Sequence, residues 1–387
     1  MSTLKVDGIR SNSATSDAIT LASNGTCTAN ITNNLSNRRI NVNGAMTIAQ
    51  RGTSNTSGGD GYYTVDRMYY YNQGIDNDVT KAQVDVASGT TPYTLGFRKS
   101  FKLTNGDQSN GAGTSDQIQF RNKFEAQDIA NSGWNYKSSS SYITLSFWVK
   151  SSVAQNFYFY MLANDGTVQN FPMETGSLTQ DTWTKVTKTI SGNSNLQFDN
   201  NNAEGMTIVW DMYRGTGTTG SISLDAWAAF NSSVRTPDNT STWYTTNNAT
   251  FEITGVQLEV GSNSTDFEFK SYNQELALCQ RYFEKTYAQE IALGTANNFS
   301  GAYTARDGTA SSVARYYPFN FKITKRTTPT ITIYNPSTGG TASCRLDSGS
   351  YSAAVSSHND SACMIFSDDS LSSHYGIFFH LAMNAEL

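Results

Sequence analysis

Few residues in this chain have the type and spacing to run a reaction. The three histidines, His358, His374 and His380, fall near the end of the sequence, where Asp360 or Asp368 could join them as metal ligands or as an acid–base set. No spacing forces them together, so ordinary strand and loop histidines account for them. Glu259, Asp266 and Glu268 are candidates for glycoside hydrolysis by their acidity alone. That chemistry needs two carboxyls held roughly 5 to 9 Å apart in a cleft, and strand and turn carboxylates explain the same residues. The nucleophile elbow, the phosphate loop, the H-E-x-x-H helix and the EF-hand spacing are all missing from the sequence. The expectation is a protein without catalytic residues, not an enzyme.

Binding chemistry is better represented. Trp134 and Tyr136 in NSGWNYKSSSS, and Trp243 and Tyr244 in DNTSTWYTTNN, lie in polar loops. An exposed ring flanked by hydroxyls and amides can stack on a sugar face while its neighbours bond the sugar hydroxyls, which makes these four the candidate glycan-binding residues. The competing account is that loop aromatics pin their own loop down. Trp148, Trp183 and Trp210 stand in strand-like contexts and read as core. The loops at Gly59 to Gly61, Asp76 to Asp78 and Asn164 to Gly166 carry oxygen ligands suited to a structural calcium ion. Turn chemistry accounts for the same residues, and no other cofactor is implied. Cys27, Cys279, Cys344 and Cys363 form no C-x-x-C pair, and buried thiols are the reading, with a Cys344–Cys363 disulfide left open.

The elements that must position these residues are strands. Only 15% of the 387 residues are charged, 6 are proline and 12% are aromatic, a mixture that suits extended strands joined by Ser, Thr, Asn and Gly turns. The net charge of -5 offers no basic stripe for phosphates, so no nucleic-acid partner is expected. No window approaches the roughly 18 apolar residues of a spanning helix, so no membrane insertion is expected. Ile143, Leu145, Phe147 and Val149 alternate, as do Phe157, Phe159 and Met161, and Ile222 with Leu224. In ATFEITGVQLEV the phase slips at Gly255, the place for a bulge. Ser271 and Gln274 have capping-box spacing, and Leu276, Cys279, Phe283 and Tyr287 follow as one apolar helical stripe. After it, Phe319, Phe321 and Ile323 alternate and Ile331 and Ile333 follow Pro329.

Three stretches also resemble a known family. TLASNGTCTANITNNLSNRRINVNGAMTIAQRGTS followed by GYYTVDRMYYY, then ITLSFWVKSS with TWTKVTKTISG, and then FEITGVQLEVGSNSTDFEFKSYNQELALCQRYFEKTY are similar to marine, cyanophage-type phage tail-fibre and host-adsorption proteins. The middle domain of that family is similar to carbohydrate-binding-module jelly rolls. The resemblance implies a virion protein, assembled in the bacterial cytoplasm, that binds host-surface polysaccharide. It implies a homotrimer and a virion adaptor held by residues 1–45. No catalytic residues carry over. In a trimer, the stripe of Leu276, Cys279, Phe283 and Tyr287 could close around the axis, or it could pack on its own domain. The expected fold is all-β, with a jelly-roll-like sandwich over 46–270, a connecting helix over 271–287 and a distal, sandwich-like β-domain over 288–387. A head or tail decoration protein is the structural alternative, and a polysaccharide depolymerase the enzymatic one.

Overall fold

A computed structural model of the chain describes residues 6–21, 23, 27–29, 37–311, 315–346, 349–367 and 374–387. Asp368 lies outside them. The fold is all-β. Two antiparallel sheets form the jelly-roll-like sandwich. One runs, edge to edge, through Thr184–Ser191, Tyr142–Ser151, Thr250–Val260, Lys99–Thr104, Thr80–Asp85 and Ser54–Asn55. The other runs through Ala228–Ala229, Gln169–Ser177, Asn156–Ala163, Glu204–Arg214, Gln117–Glu125, Tyr69–Gln73 and Gly61–Tyr62.

Side-chain alternation explains why the sheets face each other. Ile143, Leu145, Phe147 and Val149 point inward from one sheet, and Phe157, Phe159, Met161, Ile208 and Trp210 from the other, into one continuous core. Trp210 stacks on Phe120 at 5.1 Å and meets the edge of Phe147 at 5.7 Å, which ties three strands across both sheets. Gly255 does sit at a bulge: the register between Tyr142–Ser151 and Thr250–Val260 shifts between Ser146 and Trp148. Ile222 and Leu224, expected as strand residues, instead lie in an irregular loop.

The boundary expected near residue 45 falls inside the folded unit. Ile40 donates its N–H to the Leu258 carbonyl at 2.8 Å. The N–H groups of Asn37, Arg38 and Arg39 converge on the Glu268 carboxylate at 2.5, 2.8 and 2.8 Å. Burial alone would raise that carboxyl, but these amides and Lys270 hold it below the usual range. Upstream, Gly8–Ile9, Ile19–Leu21 and Cys27–Ala29 make a small three-stranded sheet of their own.

The helix is shorter than the 271–287 expectation. It runs Tyr272–Gln280 behind the expected Ser271–Gln274 capping box. Its buried face carries Glu275 and Cys279, while Leu276 is only half-buried. Glu275 pairs with Arg39 and accepts the Asn43 N–H, so the helix is docked on its own chain by a buried carboxylate. Phe283 belongs to the next strand, Phe283–Lys285, which pairs with Ala382 to Asn384, and Tyr287 lies beyond it, stacked on His380 at 3.6 Å. The apolar stripe thus breaks after Cys279, because a strand pairing distant in sequence captures its second half.

The strand His374–Asn384 organises the C-terminal β-domain, pairing with Phe283–Lys285, Tyr303–Ser311, Thr330–Tyr334 and Ser343–Leu346. Cys363 is a free, buried thiol, which settles the open disulfide: burial pushes it up to about 12. The C-terminal domain is also latched to the sandwich. Glu386 pairs with Arg51 and Arg67, and Arg326 donates to the Ala385, Glu386 and Asn202 carbonyls.

Candidate functional site

The strand Tyr142–Ser151 sends its odd-numbered residues from Ile143 to Val149 into the core, so Ser146 and Trp148 face the opposite way. On that outer side of the six-stranded sheet, Trp148 joins an aromatic group separate from the core, built on Ala45, Val86 and Phe97. Phe97 lies 4.9 Å from Phe267 and 5.1 Å from Phe269, and Phe267 lies 4.8 Å from Phe269. Alternation in Phe267, Glu268 and Phe269 sends both rings one way and the carboxylate the other, onto the Asn37 to Arg39 amides. The bulge makes the arrangement fit. Gly255 has φ +64°, and a Cβ there would come within 2.7 Å of Phe97 and 3.2 Å of Trp148.

The result is an open cleft of about 360 Å³ lined by Phe97, Trp148, Phe267, Phe269, Lys185 and Asp266. Ser146, Thr94 and Thr265 add hydroxyls. Phe269 is 50% exposed and Leu95 beside it 52%. Large apolar groups left wet beside a cation, an anion and hydroxyls form a surface that an amphipathic ring can cover, apolar face on the aromatics and polar edge on the rim.

The four loop aromatics expected to bind glycan are not at this cleft. Trp134, Trp243 and Tyr244 are buried in the main core, and Tyr136 is half-buried against it, 5.0 Å from Phe198. Their loops are polar because the polar atoms hold the backbone around the rings. Asn105 donates to the Trp243 and Tyr244 carbonyls, Gln155 accepts the Trp243 N–H at 2.8 Å, and Asp116 accepts the Tyr244 hydroxyl at 3.0 Å. Burial, then Asp116, pushes that phenol far up. Trp148 was the readable miss: its even number among odd-numbered core residues already placed it outside.

The other candidates are occupied structurally. Asp76 accepts from Asn110, Asp60 from the Asn72 N–H and Asp165 from the Asp199 N–H, which is turn chemistry. Among the described residues, no group of three or more His, Cys, Asp or Glu side chains is arranged to hold a metal ion. Glu259 accepts from Thr265 and Gln257, and Asp266 lines the cleft. His380 is buried, with Nδ1 on Thr286 at 2.9 Å and Nε2 on the Asn298 carbonyl at 3.0 Å, and burial lowers its pKa. His358 is exposed. Among the described residues, no helix is long and apolar enough to cross a membrane.

The residues that carry the tail-fibre resemblance turn out to be the latch between the parts. Arg39, Asn43, Gln50, Arg67 and Glu275 are buried and bonded to one another's segments or to the C-terminal domain. No protein-family model matches the chain, and no curated protein matches it. Solved structures do. The enzymatically active domain of tailspike protein 4 from Bacteriophage CBA120 aligns over 57% of this chain and 22% of its own, at 11% identity and TM-score 0.30. A family 11 carbohydrate-binding module from Clostridium thermocellum, in complex with a mixed-linked tetrasaccharide, aligns over 54% of this chain and 96% of its own, at 10% identity and TM-score 0.26. The N-terminal cellulose-binding domain of a Cellulomonas fimi glucanase aligns over 50% and 88%, at 10% and 0.26. The chain thus spans about a fifth of the tailspike domain. Likenesses this distant carry no residue and no activity across to it.

Proposed function

We propose that this chain is a phage tail-fibre protein that adsorbs to a bacterial surface by binding its glycan, and that the Trp148 cleft is a sugar-binding site. One observation carries the site: an exposed Phe269 and a half-buried Trp148 line one cleft with Lys185, Asp266 and three hydroxyl side chains. A pyranose has the matching two-sided chemistry. The resemblance of the latch segments to tail-fibre proteins supports the virion setting and assembly in several copies, a trimer being the family's usual number. Each cleft is small and open, so single contacts are weak. Copies held on one particle add through effective concentration.

The test is a glycan array probed with the purified full chain, followed by competition with the soluble hits. Binding to at least one neutral glycan, lost in Phe269→Ala, supports the reading. An array with no neutral-glycan binding, or binding unchanged in Phe269→Ala, overturns it. Antibody labelling of particles separates the settings: label on the capsid would make the chain a decoration protein instead.

A further inference from the structure

The outer face of the other sheet carries different chemistry. Directly paired residues share a face of a sheet, and the register runs Tyr69 to Arg121, Arg121 to Val209, Val209 to Tyr160 and Tyr160 to Pro172. Next to that row, Tyr71 pairs with Gln119 and Gln119 with Asp211. All of these face away from Phe120, Phe159 and Trp210, which lie in the core.

Three arginines converge here. Arg214 is buried and satisfied: it grips Asp211 with Nε at 2.8 Å and Nη2 at 3.0 Å, Gln117 at 3.0 Å and the Tyr160 hydroxyl at 2.8 Å. Arg121 is fixed by Nε on Gln119 at 3.0 Å and lies 4.4 Å over the Tyr71 ring. Its two amino ends have no hydrogen bond and no carboxylate among the described residues. Arg235 lies 5.0 Å over Phe230, and its buried Nε has no partner there. Tyr160, Val209, Gln119, Asp211 and Arg214 are all buried, so the part of this face that meets solvent is its edge, where Arg121, Tyr69 and Tyr71 are half-exposed. Asp211 cancels Arg214. The charge of Arg121 is left over at that edge, on a chain whose net charge is -5.

A guanidinium seated over an aromatic ring and fixed by one hydrogen bond, with its outer edge unused, is preorganised for a two-pronged bond to a planar or tetrahedral oxyanion. We infer that the Arg121 edge of this face is a subsite for an acidic sugar, one bearing a carboxylate or a sulfate ester, with Arg121 as its fork. Tyr69 and Tyr71 flank the fork and offer ring edges and hydroxyls to the same sugar. The subsite lies on the opposite sheet from the Trp148 cleft and does not depend on that cleft binding anything.

The test compares polymers that differ only in charge, using affinity electrophoresis of the full chain at low salt. Polygalacturonate against its methyl ester isolates the carboxylate; dextran sulfate against dextran isolates the sulfate. The expected result is retardation by at least one charged member of a pair and not by its neutral counterpart, falling steeply between about 50 and 500 mM salt. Arg121→Gln should weaken it at least tenfold with the melting temperature unchanged. Arg121→Lys, which keeps the charge and loses the fork, should fall between. Phe269→Ala should leave it intact. Equal behaviour of charged and neutral members in both pairs, or full binding by Arg121→Gln, overturns the inference. The polymer comparison needs no variant, so a misfolded variant cannot mask the outcome.

Discussion

Trp148 shows what a single side chain can reveal when its strand is read by parity. Its neighbours Phe147 and Val149 are core residues, and Trp148 is held on the other side by a glycine bulge that exists to make room for it and Phe97. Two substitutions separate these roles. Trp148→Ala should lower glycan affinity by about 2 kcal/mol, roughly thirtyfold, as for a central aromatic anchor, measured by titration of the best array hit. Its melting temperature should barely change, because the ring is outside the main core. Gly255→Ala should do the reverse in proportion. It forces a Cβ into a left-handed backbone and against Phe97, at a cost of at least about 1 kcal/mol in chemical denaturation, and weakens binding by displacing the ring. Equal stability of Gly255→Ala and the parent would show that the bulge relaxes freely. The loop aromatics teach the converse lesson. Polar neighbours made Trp243 and Tyr244 look exposed, yet Asn105 and Gln155 spend their polar groups on backbone, and that use is invisible in composition.

Among elements, the strands of the sandwich and the cap of the helix were legible because both are local patterns. Alternation placed the inward residues, and Ser271 with Gln274 marked the helix start. The helix end was not legible. Phe283 and Tyr287 continue the helical period, but Phe283–Lys285 is drawn off by hydrogen bonds to Ala382 to Asn384, about a hundred residues away, which no local period can register. The helix's real anchor was equally hidden, since Glu275 reads as a surface residue and is instead buried against Arg39. Glu275→Gln tests it. Among the described residues, Arg39 already has Nε and Nη1 without partners and Glu275 as its carboxylate, so losing that carboxylate leaves a buried charge uncompensated. The cost should be about 3 to 5 kcal/mol, and hydrogen exchange should rise first across residues 38–50 and the helix. Exchange that rises uniformly would mean the helix is not a separate dock. Because Cys279, Phe283 and Tyr287 are all buried within one chain, a trimer has to be sought on other surfaces, by the mass of the purified protein in light scattering.

At the scale of the whole molecule, three buried lysines, Lys81, Lys285 and Lys325, set an unusual pH response; Lys325 is lowered by burial although Glu284 pairs with it. Lys81 lies 4.6 and 4.5 Å over the Tyr63 and Tyr70 rings and donates to the Ser57 carbonyl, and burial lowers it to about 8. Lys285, in the strand after the helix, donates to the Gln289 and Ile291 carbonyls and is likewise lowered by burial to about 8. In the unfolded chain all three return to 10.5. Between pH 8 and 10.5 the unfolded state therefore holds more protons than the folded one, and stability rises with pH, by up to about 1.4 kcal/mol per unit for each lysine. Above about pH 9 the trend is opposed. Burial raises the Cys279 and Cys363 thiols above 9.0, and Tyr62, Tyr70 and Tyr282 far above 10.0, so the unfolded state alone releases their protons. On the acid side His380, lowered by burial, takes away stability as pH falls through 6.5. The midpoint of urea unfolding should thus climb from pH 7.5 and level off near pH 9. Lys81→Met, which keeps a flexible apolar chain between the two tyrosines, should make that climb shallower while raising stability at pH 7. A parent midpoint that only falls above pH 7.5 would mean that the ammonium groups keep their charge in the folded state through contact with water, and that their sites are wetter than their burial indicates.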